Sequence, residues 1–157
     1  MAISVWVAKA AVATVLKAAL VPVTADLVQL GRPVETVALN LPRRVYIGSV
    51  LNDDPQPIWE PGSQIRTEEY VIPLLVDCLS FTGNDPAGYA TAYGLVQAIA
   101  TAIEAQIDQD QSWGVPGLTN SGLALMGEDT TVFADAPSGS GWRSSAILGL
   151  HVQTKGH

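Results

Sequence analysis

Two histidines, one cysteine, a few paired acids and a glycine-flanked serine are the residues from which catalysis could be assembled in this chain. His157 is the last residue, and His151 falls inside an apolar run with strand periodicity. No Gly-x-Ser-x-Gly elbow supports a serine–histidine–acid site, so His151 reads as an ordinary strand residue. Gly139-Ser140-Gly141 lies between two strand-like runs rather than opening a helix, so it reads as a turn and not as a phosphate cradle. Asp108-Gln109-Asp110 and Asn52-Asp53-Asp54 pair carboxylates, but neither continues into a calcium loop. They read as a solvated helix end and a loop. Cys78 sits in an apolar run with nothing basic beside it to favour the thiolate, which makes it a small core residue. The expectation is a chain with no catalytic, cofactor-binding or metal-binding set.

Residues that could make contacts are more visible. Arg43 and Arg44 form the only adjacent basic pair, suited to an acidic neighbour or simply to a solvated strand start. Trp59 and Trp113 fall in loop-like stretches, where an aromatic is either an interface anchor or packs back on its own domain. With Arg66, these residues are the candidate subunit or partner interface.

The totals narrow the class. With 157 residues the chain is expected to form one domain over its whole length, large enough to bury a core. Hydrophobic residues make up 48% and charged residues 15%. So few charges suit a surface partly covered by other subunits, and equally an Ala/Val-rich single domain. The net charge of −7 opposes the grip on phosphates that specific nucleic-acid binding needs. A single cysteine excludes an internal disulfide framework and a cysteine-based zinc site. No stretch is long and unbroken enough to span a membrane. The apolar start carries Lys9 and Lys17 inside the run rather than before it, which is not the pattern of a secretory signal.

The elements that must position these residues centre on 68–108. A strand over Glu68–Ser80 places Tyr70, Ile72, Leu74, Val76 and Cys78 on one face. Pro73 has no N–H for a ladder and signals an edge, a bulge or a break nearby. Asp85 as N-cap and Pro86 at the first position start a long helix. Its expected stripe is Tyr89, Tyr93, Val96, Ala100, Ile103 and Ile107. Before this unit, Val5–Leu20 reads as a helix ended by Pro22, with Val5, Ala8, Val12, Val15, Leu16 and Ala19 on one stripe. Val23–Leu30 is either a second short helix or irregular chain. Val34–Leu39 and Val45–Val50 read as short strands, and 51–67 as a long loop. A second loop is expected at 109–122. Leu123–Met126 and Thr130–Ala134 read as strand pieces interrupted by Gly127-Glu128-Asp129. After a turn at 135–141, Trp142–Thr154 closes the chain with Ala146, Leu148, Leu150 and Val152 on one face. The fold class is α+β: an antiparallel or mixed sheet of about four strands, with the long helix and the N-terminal helix on one face.

This layout resembles the tail terminator (tail-completion, minor tail) proteins of long-tailed bacteriophages. The resemblance rests on the N-terminal helix, the strand Arg44-Val45-Tyr46-Ile47-Gly48, the Pro-rich loop and the strand ending Val76-Asp77-Cys78-Leu79-Ser80. The Ala-rich helix from Asp85 to Ala105 and two closing strands complete it. The loop around Trp59, the stretch 111–122 and Pro73 go beyond the simplest family pattern.

The resemblance implies a non-enzymatic virion protein of the tail or neck, assembled in the host cytoplasm. Its copies would form a sixfold ring on the tail tube, stop tube polymerisation and meet head-completion or connector proteins. DNA would pass through the lumen unread, and an acidic lumen would let it slide. In such a ring the edge at Arg43–Val50 and the loop around Trp59 would make the subunit contacts, and substituting Trp59 or Arg44 should weaken assembly with the fold intact. The alternatives are another head–tail connector or adaptor, the tube subunit itself, or a small ligand-binding α+β protein. The last would need polar groups at a pocket between helix and sheet, where only Tyr89 and Tyr93 are on offer.

Overall fold

A long central strand sets the geometry of the computed structural model, which describes residues 5–31, 41–48, 57–59, 66–81, 86–136 and 139–156. This strand, β4 (Arg66–Ser80), follows α1 (Val5–Leu20), β1 (Leu27–Leu30), β2 (Arg43–Ile47) and β3 (Pro57–Trp59). After it come α2 (Pro86–Gln109), β5 (Leu118–Ala136) and β6 (Gly139–Gly156). The six strands form one sheet in the order β1-β2-β4-β6-β5, with β3 pairing separately on β4. Only β1 and β2 run parallel; the other pairs are antiparallel. The α+β class holds, with six strands among the described residues rather than about four.

Period-two alternation decides which side of the sheet is core. Tyr70, Ile72, Leu74, Val76 and Cys78 are all buried, and their β6 neighbours Val152, Leu150, Leu148 and Ala146 share that face. α2 packs across β4, β6 and β5, while α1 lies against β1 and touches α2. Both helices therefore cover one face. α1 contributes Ala8, Val12, Leu16 and Leu20, a stripe at four-residue spacing. Ala19, expected on that stripe, is exposed.

The α2 stripe keeps Val96, Ile103 and Ile107 of the expected set but differs at Tyr89, Tyr93 and Ala100. Gly88, Ala92, Val96, Ile99, Ile103 and Ile107 are buried. Tyr89 is exposed and stacks on Tyr93, with ring centroids 6.4 Å apart, while its edge meets Trp142 of β6 at 5.3 Å. The small residues Gly88 and Ala92 let the helix approach the sheet closely, and the two tyrosines flank that contact.

Pro73 lies inside the sheet yet marks a break. Its carbonyl accepts from the Gly48 N–H at 2.9 Å, so its imino side also faces β2. The β2 ladder ends one residue earlier, at Ile47 opposite Leu74. The missing N–H falls where no partner strand needs it.

Four further sequence expectations change. Leu27–Leu30 is a strand, neither helix nor irregular chain. The loop expected over 51–67 contains β3 and the start of β4, and β5 begins at Leu118, inside the loop expected over 109–122. The strand pieces around Gly127 are one continuous β5, because bulges at Asn120/Gly122, Leu125/Gly127 and Phe133/Ala136 absorb the irregularity. The Val34–Leu39 strand, Ser49–Val50 and the Asp85 cap lie outside the described residues.

α1 is tied to the sheet by a charge clasp. The Arg43 guanidinium grips both oxygens of Asp26 at 2.9 and 3.1 Å and donates to the carbonyls of Val23 and Pro22. This hydrogen bonding holds the Asp26 carboxyl below its ordinary value of 3.8. Because the folded value is depressed, the clasp's contribution is present above pH 3.8 and fades as pH falls through the folded value. The stability gap between the native protein and Asp26→Asn, about 1 kcal/mol near neutrality, should therefore narrow in urea titrations below pH 3.8. A second expectation concerns Gly141, where an added Cβ would run into the Ser80 carbonyl oxygen. Gly141→Ala should cost about 1–3 kcal/mol. At Gly127 an added Cβ meets nothing within 4 Å, and Gly127→Ala should stay within about 0.5 kcal/mol.

Candidate functional site

The face of the sheet opposite the helices holds the residues that the core does not use. Alternation sends Val71, Pro73, Leu75, Asp77 and Leu79 of β4 to this side. Register sets Arg44 and Tyr46 of β2 beside Asp77 and Leu75, and Arg143, Ser145, Ile147 and Gly149 of β6 across from them.

One end of this face is a charge cluster. Arg44 Nη2 lies 2.8 Å from Asp77 Oδ2. Arg143 closes on the same carboxylate with Nε 2.9 Å from Oδ1 and Nη2 2.7 Å from Oδ2. Arg44 and Asp77 are 1% and 2% exposed, whereas Arg143 reaches partly into solvent. Hydrogen bonding to Asp77 raises the Arg143 pKa further. Two guanidiniums on one carboxylate leave the cluster with one surplus positive charge. Arg44 Nε is buried without a hydrogen-bond partner. With both oxygens occupied and shielded from water, Asp77 is unsuited to proton transfer or nucleophilic attack.

Beside the cluster runs an apolar band. Tyr46, Gly48, Pro73, Leu75 and Ile147 line a shallow hollow of about 180 Å³. A second hollow of about 300 Å³ adjoins it, sharing Leu75 and Ile147 and bounded by Gly127, Glu128 and Asp129. Both are open, and the polar groups in them are too few and too scattered to orient a small ligand. Met126 and Ile147 are exposed on this side, with Met126 reaching over Gly149.

The expected contact residues are placed unevenly. Arg43 works inside the molecule, on Asp26. Arg44 is in the buried cluster, so its substitution removes a folding interaction; the expectation that the fold would survive it intact is corrected. Trp113, expected in a loop, is 2% exposed and part of the core. It has a φ of 53° in the turn after α2, where Asp110 accepts hydrogen bonds from the Ser112 N–H and hydroxyl. Trp59 and Arg66 stand directly opposite each other where β3 pairs with β4.

Asp77 and Arg143 are the residues that sequence reasoning passed over as a site. The available signal was a lone acid in an apolar strand, which must find a cation if it is buried. Cys78 is a core residue as expected, and burial pushes its thiol up to about 12. Among the described residues no group of three or more His, Cys, Asp or Glu could hold a metal ion. None of their helices is long and apolar enough to cross a membrane.

Removing the shared carboxylate strands two cations, one of them buried. Asp77→Ala should cost about 3–5 kcal/mol in urea denaturation. Arg143→Ala, which leaves a neutral Arg44–Asp77 pair, should cost less, about 1.5–3 kcal/mol.

No family model matches the chain, and no curated protein matches it. Among solved structures that match is a chain of the virion of the native gene transfer agent (GTA) particle. The likeness is weak, with a TM-score of 0.43 and 14% identity, and it covers 92% of this chain and 93% of that one.

Proposed function

We propose that this protein is a non-enzymatic structural subunit of a phage-type virion, whose copies assemble into a closed ring that caps the tail tube. The observation that carries the self-assembly is the amount of apolar surface left open over a closed core. Trp6, Val7, Val23, Leu125, Met126, Val132 and Ile147 are all exposed large hydrophobic residues. Scattered single residues of this kind are ordinary, but a band across one sheet face and a run along an edge strand mark an interaction surface. Among the described residues no group on that face is arranged for bond-making chemistry.

The specific role rests on the resemblance in element order to tail terminator proteins. In that role the ring has six copies, ends tube growth and meets the head-completion or connector proteins on its other side. DNA passes through a lumen whose acidic wall repels phosphates, in keeping with a chain of net charge −7. A lumen lined mainly by Arg and Lys would defeat that part of the reading.

Solution mass and negative-stain images across a concentration series test the proposal, with purified tail tubes added in a parallel series. Discrete rings with sixfold averages, or rings seated only on tube ends, are the expected result. Unlimited tubes would make the protein the tube subunit instead. A monomer at every concentration, with and without tubes, would overturn the reading.

A further inference from the structure

The two lateral edges of the sheet differ in charge in a way that the net total conceals. At the β1 edge, α1 carries Lys9 and Lys17 and no acid. At the other edge, β5 carries Glu128, Asp129 and Asp135 and no base. α2, which packs over β4, β6 and β5, carries Glu104 and Asp108 and likewise no base. Lys17, Glu104, Asp108, Glu128 and Asp129 are exposed, and Lys9 is half-buried. None of these six forms an ion pair within the chain among the described residues. Of the arginines paired within the chain, Arg43 is matched by Asp26, while Arg44 and Arg143 share Asp77 and leave one surplus positive charge on the face opposite the helices.

Apolar surface accompanies the charge at both edges. On α1, Trp6 is 65% exposed with Val7 beside it, and Val23 follows just after the helix. On β5, Leu125 is 60% exposed, with Met126 and Val132 nearby. β5 is also the last strand of the sheet among the described residues, and the backbone groups of an edge strand invite cover. Among the described residues α1 and β5 thus each combine exposed hydrophobic side chains with charges of a single sign, and the signs are opposite.

We infer that the two edges recognise each other between copies. The α1/β1 edge of one subunit docks on the β5 edge of the next, head to tail. This inference rests on the self-assembling reading above and names the surface that would serve it. A patch that meets a different patch forms a heterologous contact, the type that generates rings. Opposite charges fix the direction of approach and reject the two like pairings, β5 on β5 and α1 on α1. Burying Trp6 and Leu125 would supply most of the attraction, and the charges would select it.

The test uses charge reversal, which leaves the buried core untouched. One variant carries Lys9→Glu and Lys17→Glu, so both of its edges are acidic. The other carries Glu128→Lys and Asp129→Lys, which changes the formal charge of strand β5 from −3 to +1. Each alone should need at least about tenfold more protein for half-assembly, by sedimentation velocity at low salt. Mixed one to one they should assemble again, because each reversed edge now meets its complement and alternating copies close any even-numbered ring. A single chain carrying all four substitutions should assemble alone. Circular dichroism melts of the isolated variants establish that each remains folded. If both variants assemble like the native protein, or if the mixture stays dissociated while the native protein assembles, the edge pairing is wrong and the self-assembling reading survives. If the native protein itself never assembles, with or without tail tubes, both fall together.

Discussion

One carboxylate holds the middle of this sheet. Asp77 takes a guanidinium from β2 on one side and another from β6 on the other, so a single acid joins three strands across the face that the helices leave open. A buried ion cluster is a weak source of net stability, because desolvation offsets most of the attraction. Its stronger effect here is on register. A slip of β2 by one residue would turn Arg44 towards the helix face, among Val76, Leu74 and Val96, where no acid waits. The same slip in β6 would turn Arg143 into the core. The apolar alternation on the other face demands the same register, and the two requirements reinforce each other.

β4 can hold this position because its outer side is divided between two short strands. β2 pairs with residues 74–78 and β3 with residues 66–68. Pro73 stands in the gap, where its lack of an N–H is harmless. A proline inside a central strand is normally evidence against that strand. Here it records that the partner on one side changes. β6 meanwhile runs the full length of β4 without a break, from Arg66 opposite Gly156 to Ser80 opposite Trp142.

The parts legible in the sequence were those whose signal is local and repeated. β4 and β6 alternate cleanly over five and four apolar positions, and α1 stops where Pro22 requires it. The parts that were not legible depend on distant partners. Leu27–Leu30 is too short to carry a period, and it becomes a strand only because β2 lies beside it in parallel. β5 looked broken at Gly127 because glycine and two acids punctuate it, yet a β6 partner and a bulge keep the ladder running. The α2 stripe held at Val96, Ile103 and Ile107, but its first turns were misjudged because Tyr89 and Tyr93 count as apolar in a periodic search. Gly88 and Ala92 take the buried places, where the helix must come close to the sheet. Arg44 announced its charge but not its burial, since nothing nearby in sequence says that Asp77 and Arg143 will lie on either side of it. Trp113 was ambiguous for a like reason: a positive-φ turn, invisible in the pattern, folds it back under the end of α2.

The internal use of arginine also explains why a chain with so few charges can be so unevenly charged. Of the eight basic residues, three are committed to Asp26 and Asp77. Among the described residues, α1 keeps the unpaired Lys9 and Lys17, at the sheet edge farthest from β5. Glu104, Asp108, Glu128 and Asp129 stay exposed on α2 and β5. A polar field along the sheet therefore follows from folding itself, because the arginines that lock the strands in register no longer balance the acids outside. At a Debye length of about 8 Å in physiological salt, such a field acts only at contact range. It can select how one edge meets another, but it cannot draw copies together from afar; the exposed apolar side chains must supply that attraction.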